Sequence, residues 1–259
     1  MERKTLLLAV LAMGAFGSAA LALAPMGPPV SMLPEGQYAG GLGYAYSEMT
    51  LEVSGPLSGV TGDGELDDVQ NNIYYISLGY GISDTWSVYG AVGMADAGFD
   101  ADTGSDFDGD TQSGFAIGTK RTLQDNGGNI KWGTVFQYCR GQSEDKINAI
   151  AGQSFGNGSI GLSSGVQKAE LDWYEIQLAV GPAVQVRDNL CVYGGPFLHF
   201  VEGDLEFPWN NAQFDLEQRS ELGAYIGALY NLKSDITLSA ELLATRDAWG
   251  IGIGAMMGF

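Results

Sequence analysis

The chain has 259 residues, 39 of them glycine, and its 31 acidic against 12 basic residues leave a formal charge of −19. One undivided domain fits that length, and so acidic a surface repels phosphate backbones, which argues against nucleic acid as a partner. An apolar content of 45 % is too high for disorder, and neither a Gly-X-Y period nor a solenoid repeat is present.

The N-terminus reads MERKTLLLAVLAMGAFGSAALALAP. Arg3 and Lys4 precede an apolar stretch from Leu6 to Phe16, and small residues follow, which is the pattern of a secretory signal peptide. Residues 1–24 are assigned to it, with Ala22-Leu23-Ala24 matching the cleavage pattern. Pro25 is an awkward neighbour for a cut after Ala24, so cuts after Ala19, Ala20 or Ala22 stay open. An uncleaved anchor over Leu6 to Ala24 is the alternative; a short apolar stretch that dissolves into small residues argues against it. No later segment approaches the roughly 18 apolar residues of a membrane helix, so insertion after export has to be by strands. Residues 25–36 form an N-terminal lead, and residues 37–259 are expected to form the barrel.

From Gln37 onward, period-two runs recur, each closed by turn residues. They cover Gln37 to Glu48, Ile73 to Ile82, Trp86 to Ala95, Gly114 to Leu123, Ile130 to Arg140, Leu171 to Val186, Leu190 to Glu202, Ser220 to Leu232, Ile236 to Ala244 and Trp249 to Phe259. The fold class is therefore all-β, an antiparallel up-and-down transmembrane barrel of about ten strands, with eight or twelve as the neighbouring even counts. Long polar segments, 49–72, 96–113, 141–170 and 203–219, alternate with short turns at Ser83, Gln124, Arg187 and Lys233. Short turns on one rim and long loops on the other are the habit of such barrels, the short ones facing the periplasm. Aromatics near the run ends, Tyr38, Tyr46, Trp86, Trp132, Trp173, Trp249 and Phe259, suit girdles at the headgroup level.

The chain closes with WGIGIGAMMGF, Trp249 to Phe259. Apolar residues occupy one face and glycines most of the other, so the bare face has to meet something crowded. Inward tyrosines such as Tyr75, Tyr89, Tyr193 and Tyr225 are the expected cause. Trp249, Ile251, Ile253, Met257 and the terminal Phe259 resemble the C-terminal recognition signal of bacterial outer-membrane proteins. The mature chain is similar to the small outer-membrane barrels that include the membrane domain of outer-membrane protein A, the opacity proteins and outer-membrane protein W. That resemblance implies the bacterial outer membrane as location, the barrel-insertion machinery as a partner in biogenesis, and outer-membrane lipid and lipopolysaccharide as surroundings.

Candidate chemistry is sparse. Asp106, Asp108 and Asp110 offer clustered oxygens for calcium, yet Thr111 and Ile117 stand where an EF-hand loop needs glycine and glutamate. A solvated acidic loop that bridges loosely to lipopolysaccharide through Ca2+ is the simpler reading, and no resident cofactor is expected. His199, the single histidine, faces inward by parity, without the Asp-His pair that omptin proteases carry and without an evident orienting acid, so no catalytic residue is assigned. Glu175, Glu221 and Glu241 map to the upper or middle lumen, and Lys120 and Lys131 to its periplasmic end. Buried charges need partners or water, so the lumen is either partly wet or plugged by Arg219 or Arg246 reaching the glutamates. Cys139 and Cys191 fall at opposite ends of their strands and are expected to stay unbridged. The leading expectation is a non-enzymatic envelope or surface protein; a narrow pore is second, and an enzyme using His199 is third.

Overall fold

The computed structural model describes residues 23–57, 60–99, 107–149, 165–208, 212–218, 221–232 and 235–259. Its strands are β1 Tyr38–Leu57, β2 Val60–Ser83, β3 Trp86–Phe99, β4 Phe107–Asp108, β5 Gln112–Asp125, β6 Ile130–Ala149, β7 Gly165–Arg187, β8 Leu190–Phe207, β9 Ala212–Gln218, β10 Leu222–Asn231, β11 Ile236–Ala244 and β12 Ala248–Gly258. Ten of them close into a ring in which each pairs antiparallel with its neighbour. β8 skips β9 to pair with β10, and β12 returns to β1 with Gly258 opposite Ala39 and Trp249 opposite Glu48. Among the described residues the ten strands close on themselves in the tier that β10 to β12 complete, the condition for crossing a membrane with strands. All ten periodic runs become ring strands; β4 and β9 are additions outside the ring.

Parity sorts the side chains as the alternation demands. Trp249, Ile251, Ile253 and Met257 of β12 are exposed, as are Leu222 and Ile226 of β10 and Leu238 and Leu242 of β11. On a barrel in lipid these are satisfied, because hydrocarbon is their solvent. Paired rings mark both borders of this belt. On one side Tyr44 packs on Tyr74, Tyr46 on Trp249 and Tyr138 on Tyr174; on the other Tyr38 stacks on Phe259. Eleven residues in β12, tilted as barrel strands are, span about 25 Å, the height of the apolar band of such barrels. Trp173 departs from the girdle expectation. It shares parity with Glu175 and Gln177, so it points inward and is buried.

The larger departure concerns the long connections. Segments 49–72, 141–170 and 203–219 were expected as polar loops, yet their described parts are mostly strand. β1 and β2 stay paired from Tyr38–Tyr80 to Leu57–Val60, and β6 and β7 from Ile130–Val184 to Ala149–Gly165. β9 lies between β8 and β1, with Glu217 opposite both Glu202 and Glu52, and so fills the sector above the shorter β10 to β12. Inside this upper tier Met49, Leu51, Leu171, Trp173, Val201 and Leu216 are buried against one another. Charged residues alternating outward with small or apolar ones inward look like loop by composition; the apolar half becomes visible only at period two.

Candidate functional site in the barrel interior

The interior holds a segment of the chain itself. Residues 23–36 run through the lumen and turn out at its periplasmic end, where Gly36 N–H donates to Gly81 O at 2.8 Å. Leu23, Ala24, Met26 and Val30 of this segment are buried, and each Leu, Met or Val side chain so removed from water contributes about 1.5–3 kcal/mol. Its irregular backbone needs hydrogen-bond partners, and the wall supplies them. Met26 and Gly27 N–H groups both donate to the Glu241 carboxylate, at 2.7 and 2.9 Å, and Leu23 N–H donates to Glu175 Oε2 at 2.8 Å. Ala24 O accepts from Gln137 Nε2 at 3.2 Å, and Ser31 N–H donates to Thr122 Oγ1 at 3.1 Å.

The glycine face of β12 is the seat of this segment. A Cβ on Gly252 would stand 1.8 Å from Pro25 Cγ, and one on Gly250 would stand 3.2 Å from Leu23 Cβ. Elsewhere the inward tyrosines account for the glycines, with the Tyr75 ring against Gly43, Tyr89 against Gly118 and Tyr193 against Gly227. Crowding was the expected cause, and the lead segment is the part of it that parity could not show.

Around the segment lies a polar layer. Tyr89 donates to Gln137 Oε1 at 2.7 Å, and Gln137 Nε2 also reaches Gln177 Oε1 at 3.0 Å. His199 Nε2 meets Glu175 Oε2 at 2.8 Å, with side-chain exposures of 0 % and 1 %. The histidine therefore has the acid that the sequence did not reveal: Gln177 is directly opposite His199 across β7 and β8, and Glu175 is two residues along. Its Nδ1 has no hydrogen-bond partner among the described residues, and neither has Gln177 Nε2. Lys120 Nζ lies 5.0 Å from the Tyr89 ring centroid, close enough for a cation–π contact. A cavity of about 170 Å³ remains between the segment and the wall, where Lys120, Glu241, Tyr75, Tyr89 and Tyr193 meet.

The other expected site residues lie elsewhere. Glu221 is exposed just before β10, and only its backbone carbonyl serves the interior, accepting from His199 N–H at 2.7 Å. Lys131 sits at the short-turn rim and pairs with Asp125 at 2.8 Å, both partly exposed. The hydrogen bond from Lys131, aided by Gly127 N–H, holds the Asp125 carboxyl below its usual range. Arg246 does not reach the glutamates: it is largely exposed beside Asp247, and Arg219 is outside the described residues. Backbone N–H groups take the role foreseen for arginine. Asp106 is also outside the described residues, Asp108 and Asp110 are exposed, and no group of three potential ligands converges among the described residues. Cys139 and Cys191 are buried and unbridged.

A closed antiparallel ring with an apolar, aromatic-bordered outer face is a transmembrane β-barrel. The fold is a closed antiparallel β-barrel with ten strands in its ring. No family model matches the chain, and no curated protein does. Among solved structures it is similar to the outer membrane protease OmpT of Escherichia coli, at 10% identity and TM-score 0.49, covering 88% of this chain and 96% of that one. It is also similar to an outer membrane channel of Pseudomonas putida F1, at 11% identity and TM-score 0.45, over 92% of this chain and 100% of that one. Ail, the attachment invasion locus protein of Yersinia pestis, matches at 13% identity and TM-score 0.40, over 87% and 99%. These proteins differ in what they do, and the class of the present chain is set by its own ring.

Proposed function

We propose that the protein is a sealed, non-enzymatic surface scaffold whose stiff acidic extension is its working part, engaging the divalent cations that bridge it to lipopolysaccharide. One observation carries this reading. Across β8, β9, β1 and β2 the register sets Glu202, Glu217, Glu52 and Glu65 in one row, each opposite the next. A second row sets Asp172 opposite Asp204 and Asp204 opposite Asp215. Like charges placed directly opposite destabilise a sheet, and cations drawn to the row offset that cost. Lipopolysaccharide is itself anionic, so cations between the two surfaces serve both.

Sealing is supported from both ends. Apolar side chains fill the upper tier, and the lead segment occupies the membrane tier. The His199–Glu175 pair has the geometry of a base and its orienting acid, but it is buried beneath the apolar tier, and among the described residues no nucleophilic hydroxyl or thiol is bonded to it. The test is thermal: heat-modifiable migration of the barrel in lipopolysaccharide-containing liposomes, with Mg2+ or Ca2+ against NaCl of equal ionic strength. A midpoint raised by the divalent ions, and a rise abolished in Glu52→Gln/Glu217→Gln, supports the scaffold. Equal midpoints in both salts overturn it.

The cavity beside Lys120 and Glu241 favours a second reading, a narrow pore that opens when the lead segment withdraws. Planar-bilayer recording separates the two, since a sealed scaffold is silent and a gated pore shows discrete openings.

A further inference from the structure

We infer that export processing cuts the Ala22–Leu23 bond, and that the α-ammonium formed on Leu23 is the buried counter-charge of Glu175, latching the N-terminal segment inside the barrel. The inference rests on the reading of the chain as an exported, plugged barrel. Glu175 is 1 % exposed, and its acceptors meet Leu23 N and His199 Nε2, both at 2.8 Å, and Trp173 Nε1 at 3.4 Å. No lysine or arginine pairs with it among the described residues. A carboxylate this deep is stable only beside positive charge or several donors. An amide at Leu23 brings one proton and no charge, whereas an ammonium brings three protons and a full charge to the same position.

Two further observations select this bond. Leu23 has φ +46°, in the left-handed region that a branched side chain disfavours. The torsion is defined by the preceding carbonyl, so a chain that begins at Leu23 is free of that strain. The sequence supplies alanine at the −1 and −3 positions, Ala22 and Ala20, as signal peptidases require. A cut after Ala24 would remove both the Leu23 donor from Glu175 and the Ala24 carbonyl from Gln137. A cut after Ala19 or Ala20 would leave Leu23 an uncharged amide. The chemistry is hydrolysis by the cell's signal peptidase: the C–N bond breaks, water gives its hydroxyl to the Ala22 carbonyl carbon and one proton to the Leu23 nitrogen, and the new Ala22 carboxylic acid ionises, supplying the third proton of the Leu23 ammonium.

Intact mass and N-terminal sequencing of the barrel, extracted from outer membranes of cells expressing the full chain, test the bond. The expected mature chain is 23–259, beginning Leu-Ala-Pro-Met-Gly, and any other start overturns the inference. Acylation of amines with peptide mapping then tests the latch. The Leu23 amine is expected to react at least tenfold more slowly in the folded barrel than after heat denaturation, and Glu175→Gln is expected to remove most of that protection. Equal rates in folded and denatured wild type overturn the latch even if Glu175→Gln fails to insert; an inserted variant with full protection overturns the role of Glu175. A conducting barrel with a protected Leu23 amine would sink the sealed scaffold and leave the latch standing.

Discussion

Gly252 shows how one missing side chain can hold a place for another segment. With Pro25 Cγ already 1.8 Å from where a Cβ would be, Gly252→Ala forces the lead segment away from the wall, and overpacking of this kind costs about 1–3 kcal/mol. The expected outcome is a lower midpoint of heat-modifiable migration, with Gly128→Ala in an open turn as the unchanged control. Glu241 acts at the same scale. Its carboxylate binds two adjacent backbone N–H groups of the segment, and Glu241→Leu leaves both unpaired, the buried Met26 N–H at about 1–3 kcal/mol and the half-buried Gly27 N–H at less. Limited proteolysis is expected to clip residues 25–36 in that variant and to spare them in the wild type.

Strand β9 sets the electrostatic character of its element. Glu217 faces a glutamate on each side, so Glu217→Gln removes two repulsive pairs at once. The variant is expected to be more stable at low salt, with the gain fading as salt screens the row; thermal scans at two ionic strengths measure it. On the opposite rim, Asp125 carries the ordinary sign. Its carboxyl is held below its usual range by Lys131, so the pair's contribution is present above the unfolded carboxylate range and is lost as pH falls through the lower folded value. Both groups are partly exposed, so the effect is small; Asp125→Asn is expected to flatten the acid limb of the stability curve, and a pH series of midpoints checks it.

At the scale of the molecule the barrel has two closures, an apolar tier outside the membrane and a lead segment within it. Deleting residues 23–34 from the mature chain removes the inner closure only. The expected result is a barrel that still inserts, because all ten ring strands are intact, and that remains silent in a planar bilayer, because the upper tier still fills the ring. Steady conductance in that variant would show that the lead segment is the principal seal.

Much of this was legible in the residues alone. Alternation in the ten runs, the glycine face against inward tyrosines and the apolar outer face of β12 all follow from local periodicity, because lipid and lumen each select one parity. What the sequence could not disclose is where residues far apart in the chain meet. Glu175 and His199 are 24 positions apart and join only because β7 and β8 are in register; Glu241 lies 215 residues from the Met26 N–H it binds. The lead segment has no period of its own, so nothing local marked it as the filling of the lumen. Segments 49–72 and 141–170 look like loops by composition, and their described parts are strand because neighbouring strands supply pairing partners and a shared apolar interior. Local pattern thus determined the ring and the membrane it crosses; cross-strand register and the return of the N-terminal segment decided what the ring contains and that it is closed, since both depend on contacts that exist only once the chain has folded.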